Sequence, residues 1–507
     1  MIRHLVITLS FAFSALFLAG RAAGSPHMAG ASGSGSPGES KGQTPPPNVL
    51  FLFTDDQQAG MIGALGNPHI RTPNIDRLVR EGTTFTNAHI MGGSSPGVCL
   101  PSRAMLLTGR TLWNVENQGI WHFEISAAHK TLPEVFRENG HLTFLVGKND
   151  PGRTGQIGRA YTHGGRLLLQ GMSSQYNAPL HAFREDGDYT RSKAIRTPTA
   201  HTAEIYADDA IAFLEAHATG AKPFYAYVSF QTPHDPWQMP EEFLAMYDPE
   251  KIPLPESFLP EHPFDNGMLD IRDEKLLPHP RTERAVRQAI AKYYATMTHT
   301  DAQIGRILEA LETSGQSENT LIVFASDNGL AVGRHGLVGK QNLYQPAVRV
   351  PLIFAGPGIP KGETRDHLCY IGGIYPTLCD LQGFPIPETV DFKSLAPVIR
   401  DASANHRDHL YFAFMSWQRA IRDDRHKLIE YAVDGQRHTQ LFDLKEDPHE
   451  LRNLADSPDH QEILANLRTL LASERVRLND GNSTSEFATQ LGTDFWSAYE
   501  AGKDHRR

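Results

Sequence analysis

The chain has 507 residues, of which 40% are hydrophobic, and a formal net charge of -10. That length and apolar content supply a sizeable core and exclude a disordered chain. The acidic balance gives no basic field that would draw the protein to nucleic acid, so anion recognition has to be local. Three cysteines do not make a disulfide framework, and Cys369 and Cys379, set in apolar stretches, read as buried free thiols.

In chain order, Arg3 and His4 precede the apolar run Leu5 to Ala19, which ends in Arg21-Ala22-Ala23-Gly24. Charged, apolar and small residues in that order predict a signal peptide over 1–23, cleaved near Ala23, and a secreted or periplasmic mature protein. The run is shorter than the roughly 20 residues of a spanning helix, so no stable membrane insertion is expected. Residues 24–47, rich in Gly, Ser, Ala and Pro, read as a flexible linker.

From Asn48 onward short apolar runs alternate with helical patterns. The runs are Val49 to Phe53, Leu142 to Val146, Phe224 to Val228 and Leu321 to Phe324, and the helical stretches include 203–216 and 283–313. Buried strands alternating with helices predict a large, mostly parallel sheet sandwiched by helices over 48–400. Beyond 400 the pattern becomes aromatic and alternating, through Leu410 to Phe414, Arg419 to Arg422, Lys427 to Tyr431 and Gln440 to Leu444. It predicts a smaller C-terminal α+β subdomain over 401–507, with an antiparallel sheet and a helix near 461–478.

Polar groups follow each of the first four runs: Asp55-Asp56, Gly147-Lys148, Pro233-His234 and Asp327-Asn328. In open α/β sheets ligands bind outside the carboxyl ends of strands, so these groups are expected to converge on one edge. Adjacent residues in a strand point to opposite faces, and only a loop at the strand end lets Asp55 and Asp56 address one ion. Three carboxylates and an amide are hard oxygen donors suited to Ca²⁺ or Mg²⁺.

Cys99-Leu100-Pro101-Ser102-Arg103 with Leu107-Thr108-Gly109-Arg110 resembles the signature of the type I, formylglycine-dependent sulfatases of the alkaline phosphatase-like superfamily. The resemblance runs from Pro47-Asn48-Val49-Leu50 through Thr72-Pro73-Asn74-Ile75-Asp76, Thr232-Pro233-His234, Ser326-Asp327-Asn328-Gly329 and Gly339-Lys340-Gln341-Asn342, to Asp447-Pro448-His449-Glu450-Leu451. It implies that Cys99 is oxidised to 3-oxoalanine (formylglycine) by a formylglycine-generating or sulfatase-maturating enzyme. It implies one Ca²⁺ held by Asp55, Asp56, the converted Cys99, Asp327 and Asn328. Arg103 would pair with the diol and the metal ligands, Lys148 and Lys340 would bind sulfate oxygens, and His234 would protonate the leaving alcohol. Arg334, His335 and Asn342 fall where a sulfated saccharide substrate would be read, with Gln341 a further partner for its hydroxyls.

One departure stands out. Relatives continue Gly-Lys with Trp-His, whereas this chain reads Gly147-Lys148-Asn149-Asp150. Asp150, His122 or His163 could replace that imidazole, or the enzyme could be slow or retired. The expected function is removal of sulfate from a sulfated carbohydrate through a gem-diol nucleophile at position 99. The alternatives are a phosphodiester or phosphonate monoester hydrolase of the same fold and a retired protein that binds sulfated glycans.

Overall fold

The strand Asn48–Thr54 is buried along its whole length. It lies between two parallel neighbours, Phe224–Ser229 on one side and Thr320–Ser326 on the other. The computed structural model describes residues 46–115, 125–149, 155–169, 171–218, 220, 222–480 and 495–504. The predicted signal peptide, nearly all of the linker, His122, Asp150 and the Asn482-Ser483-Thr484 sequon lie outside the described residues.

Among the described residues the sheet has nine strands. Leu142–Lys148 and His163–Leu168 extend the parallel centre beyond Phe224–Ser229, and His181–Ala182 closes that edge antiparallel. On the other side Leu352–Ala355 runs antiparallel to Thr320–Ser326, followed by Gly82–Phe85 and Glu363–Arg365. Alternation along the central strands divides the core in two. Val49, Phe51 and Phe53 face the cluster containing Met105 and Leu106 of the helix Cys99–Thr108. Leu50 and Leu52 face Ala203 and Tyr206 of the helix Thr202–Ala216 and Ile290, Met297 and Ile304 of the helix Glu283–Thr313. Strands covered on both faces have no polar face to show, which is why these runs read as continuously apolar.

The second sheet is an antiparallel meander of Leu410–Phe414, Gln418–Arg422, His426–Val433 and Gln436–Asp443. Asp434 and Gly435 turn the last hairpin with φ of 47° and 74°, the left-handed pair that a tight two-residue turn requires. Gly92–Gly93, just ahead of Cys99, joins this sheet beside Leu410–Phe414. The helix Gln461–Arg477 covers it through Leu464, Leu467 and Leu471. Cys369 and Cys379 are buried free thiols, as expected. Among the described residues no helix is long and apolar enough to cross a membrane.

The tail beyond Leu478, which carries no clear sequence pattern, is tied down by one carboxylate. Asp480 accepts from Arg419 Nε at 2.6 Å, Tyr411 Oη at 2.5 Å and the indoles of Trp113 and Trp496 at 3.1 Å each. Breaking a buried ion pair from one side strands the other charge, at about 3–5 kcal/mol. Asp480→Ala should therefore lower the unfolding free energy by about that much. Denaturant titration checks this, and a loss under about 1 kcal/mol, the range of an exposed pair, would contradict it.

Candidate active site

All four polar segments leave the parallel centre at its carboxyl edge. Lys148 ends its strand, Asp55 and Asp56 follow Thr54, Asp327 and Asn328 follow Ser326, and His234 lies five residues past Ser229. Asp56 has φ of 67°, a left-handed conformation uncommon outside glycine, so the surroundings must hold it there. Its amide donates to Asp327 Oδ1 at 3.0 Å, its carbonyl accepts from Tyr293 Oη, and the next amide, Gln57 N, donates to Ser326 Oγ at 3.0 Å. The bend lets two adjacent aspartates address one point.

Arg103 sits one turn into the helix that begins at Cys99 and is 1% exposed. Its guanidinium donates to Asp55 Oδ2 at 2.7 Å, Asp327 Oδ2 at 2.8 Å and Ser229 Oγ at 2.6 Å, and it lies 4.9 Å from the Phe53 ring centroid. Lys148 Nζ reaches Asp55 Oδ2 at 2.5 Å. Lys340 Nζ bridges Asp56 Oδ1 at 2.6 Å and Cys99 Sγ at 3.1 Å. Three buried carboxylates thus face three buried cations.

These charges set the protonation states. Burial works against an ionised Asp55, but Lys148 and Arg103 overcome it and hold the carboxyl well below the usual range. Burial pushes Asp327 up to about 7, with Asp55 adding to the rise, and it also raises Asp56. Burial would lower Lys340, yet Asp56 and the other facing acids keep it well above its ordinary value. Burial likewise pushes the Cys99 thiol up in spite of Lys148 and Lys340. The attacking form of cysteine is the thiolate, so this site does not activate an unmodified Cys99.

Donor atoms for a cation are present. Asp55, Asp56, Cys99 and His234 each bring a ligand atom to within 4.8 Å of the others. Asp55 Oδ1, Asp56 Oδ2 and Asn328 Oδ1 are buried oxygens with no hydrogen-bond partner. Orphaned buried acceptors are costly, and three together fit a hard divalent cation. Asp327 is the one expected ligand whose two carboxylate oxygens are already engaged, by Arg103 and the Asp56 amide.

His234 Nδ1 donates to the Asp235 carbonyl at 2.7 Å and lies 3.3 Å from that residue's carboxylate, while Nε2 is 3.5 Å from Asp56 Oδ2. The carbonyl fixes one proton on Nδ1 and turns Nε2 toward the acids. Arg272 holds the Asp235 carboxylate and pairs with Asp273 at 2.8 Å, and Gln341 Nε2 donates to Asp273 at 2.7 Å. Sequence reasoning missed Asp235, Arg272 and Asp273. Asp235 could have been found from its place beside His234, but Arg272 and Asp273 lie in a stretch with no motif around them.

A cavity of about 800 Å³ opens over Cys99, His234 and Lys340. The three residues expected to read substrate are placed elsewhere. His335 stacks on Tyr344 with centroids 3.8 Å apart and faces a separate cavity of about 410 Å³. Arg334 donates to the Ala331 carbonyl, and Asn342 bonds within its own turn to Gly339 O and Tyr344 N. The side-chain polar atoms of Arg334 and Asn342 serve the loop that delivers Lys340. Gln341 does line the cavity over Cys99, with its amide bound to Asp273, Pro96 O and Lys340 N. His163 pairs with Phe144 at the start of its strand, whereas Lys148 pairs with Leu168 at the far end. At about 3.3 Å per residue that separation is roughly 13 Å, so His163 does not replace the missing imidazole. Asn149, next to Lys148, is buried with neither side-chain polar atom paired.

A model of the sulfatase family matches residues 47–384, and the C-terminal model of N-sulphoglucosamine sulphohydrolase matches 333–477. The chain is 29% identical to an arylsulfatase of Clostridium perfringens, over 86% of this chain and 95% of that one. It is 26% identical to an N-acetylglucosamine-6-O-sulfatase of Bacteroides thetaiotaomicron, over 89% and 90%. The fold superposes with a TM-score of 0.71 on a structure solved with its substrate D-glucosamine-2-N,6-O-disulfate, at 23% identity over 87% of this chain and all of that one.

The buried ion network predicts that Arg103→Met leaves Asp55 and Asp327 without their shared partner and costs about 3–5 kcal/mol. Chemical denaturation measures it, and a variant as stable as the parent would show that Arg103 does not organise these acids.

Proposed function

Because the chain belongs to the sulfatase family, we propose that it removes sulfate from a sulfated saccharide, using a formylglycine formed from Cys99 by a maturation enzyme and one Ca²⁺. The observation that carries this reading is the meeting of Cys99 with Lys340 at 3.1 Å and with Asp55, Asp56 and His234 within 4.8 Å. The relative named as an N-acetylglucosamine-6-O-sulfatase supports the saccharide. The 1–23 pattern supports export.

Asp55, Asp56, Asp327 and Asn328 would hold the cation, which when bound polarises a sulfate oxygen. Residue 99, once converted, would supply a hydrated aldehyde as nucleophile at the N-terminus of the helix Cys99–Thr108, the end whose dipole favours an anion. Lys148 from a strand end and Lys340 from a loop approach the neighbouring acids Asp55 and Asp56 and offset the charge that moves onto oxygen as the S–O bond breaks. Arg103 orients Asp55 and Asp327 and, with Lys148, holds Asp55 ionised. Protonated at Nε2, His234 gives its proton to the departing alcohol oxygen, while Asp235 and its carbonyl hold Nδ1. His163 lies too far along its strand to accept the proton from residue 99, which leaves that role to Asp150, His122 or another loop residue.

A proton donor matters most when the leaving group is a poor one. His234→Ala should therefore reduce sulfate release from a saccharide sulfate by about 10²–10⁴-fold and from p-nitrophenyl sulfate far less. Cys99→Ala should abolish both. Equal losses on the two substrates would remove His234 from the acid role. Faster turnover of a matched phosphonate monoester than of the sulfate would favour the phosphoryl alternative. Sulfated-saccharide binding without turnover, by fully converted protein, would favour the retired one.

A further inference from the structure

The wall of the cavity beyond the sulfate seat differs from what a polyanionic glycan would need. Among the described residues, Leu100, Leu169, Met172, Met268 and Ile271 line it with aliphatic and thioether groups. Met172 is 40% exposed, an apolar side chain turned to solvent at the mouth. The charged groups on that side are Asp270, Arg272 and Asp273. Arg272 is held between Asp235 and Asp273, so its charge is already matched by two carboxylates. Asp270 is fully exposed, with Lys275 3.8 Å away and also exposed, a pairing that offsets little in water. Counting Asp235 behind Arg272, three carboxylates stand against one guanidinium. Lys340 lies at the floor and Lys148 close behind it, and the two are committed to Asp56 and Asp55.

We propose that this pocket takes a singly sulfated unit, an ester whose sulfate is the only charge near the scissile bond and whose alcohol lays an apolar face on Leu100, Leu169, Met172, Met268 and Ile271. The inference rests on the sulfatase reading above and narrows its substrate. A second sulfate or a carboxylate on the same unit meets Asp270 and Asp273, with no unmatched cation on that wall among the described residues, and like charges brought together in a partly desolvated site discriminate strongly. The apolar wall offers the C–H face of a sugar, or an apolar substituent on it, area to remove from water. The floor therefore selects for the sulfate group, and the wall selects against further anions.

The test uses pairs of saccharides that share one scissile sulfate and differ by a second, such as N-acetylglucosamine 6-sulfate and its N-sulfated counterpart, across several sulfated positions. Both kcat/KM for sulfate release and equilibrium binding by calorimetry are read at low salt. Singly sulfated members should be favoured at least about tenfold in both, and added salt should narrow the gap because the discrimination is electrostatic. Asp270→Lys, a change at an exposed position, should narrow it as well. Equal or tighter binding and turnover of the disulfated members, or a gap that Asp270→Lys leaves unchanged, would overturn the inference. No sulfate release from any member, with the binding preference intact, would instead reject the enzymatic reading and keep the selectivity.

Discussion

The carboxyl edge of the large sheet is built around a guanidinium with almost no contact with solvent. A charge in that position is tolerable only if its donors are used, and those of Arg103 reach Asp55, Asp327 and Ser229 from three different strand ends. That requirement fixes where the strands Asn48–Thr54, Phe224–Ser229 and Thr320–Ser326 stop relative to one another. Ser229 passes the constraint on by donating to the Lys148 carbonyl at 2.7 Å, which places the fourth strand end. The register of the sheet and the geometry of the site are therefore one problem with one solution.

The same electrostatics explain why the residues are poised rather than merely assembled. The three acids are balanced by Arg103, Lys148 and Lys340, yet Asp55 Oδ1, Asp56 Oδ2 and Asn328 Oδ1 remain unsatisfied. A site balanced in charge but short of partners for its oxygens is arranged for a cation and an anion arriving together, because their charges offset and each satisfies groups the other cannot. Burial pushes Asp327 up to about 7, with Asp55 adding to the rise, so a positive charge nearby would favour its ionised form.

Much of this was legible in the sequence. The central strands and the helices 203–216 and 283–313 follow from periodicity, because strands covered on both faces must be apolar, and the aromatic, alternating run beyond 400 marks the C-terminal meander. The acids at strand ends could be read from where the apolar runs stop, and the Cys99 signature pointed to the family. What could not be read is contact between segments far apart in the chain. Arg272 meets Asp235 from 37 residues away, and no local pattern announces it. Proximity in sequence to Lys340 also misled, since Arg334 and Asn342 share its loop but turn their polar atoms into the loop itself, and His335 stacks on Tyr344 beside a separate cavity. For His163 the strand was read only from its residues, and its parallel direction, which puts that imidazole at the far end, is a property of the sheet.

The central claim is that the buried acids of this edge form a seat for one divalent cation, coupled to the cations that receive sulfate. The most direct measurement is Ca²⁺ titration of chelator-treated protein, with calorimetry and thermal unfolding read on the same sample. The account predicts one ion per chain, a rise in stability of about 2.7 kcal/mol at a hundredfold excess over Kd, and loss of that rise in Asp56→Asn. Unfolding unchanged by Ca²⁺ or any other divalent cation, or an Asp56→Asn protein that responds like the parent, would contradict it.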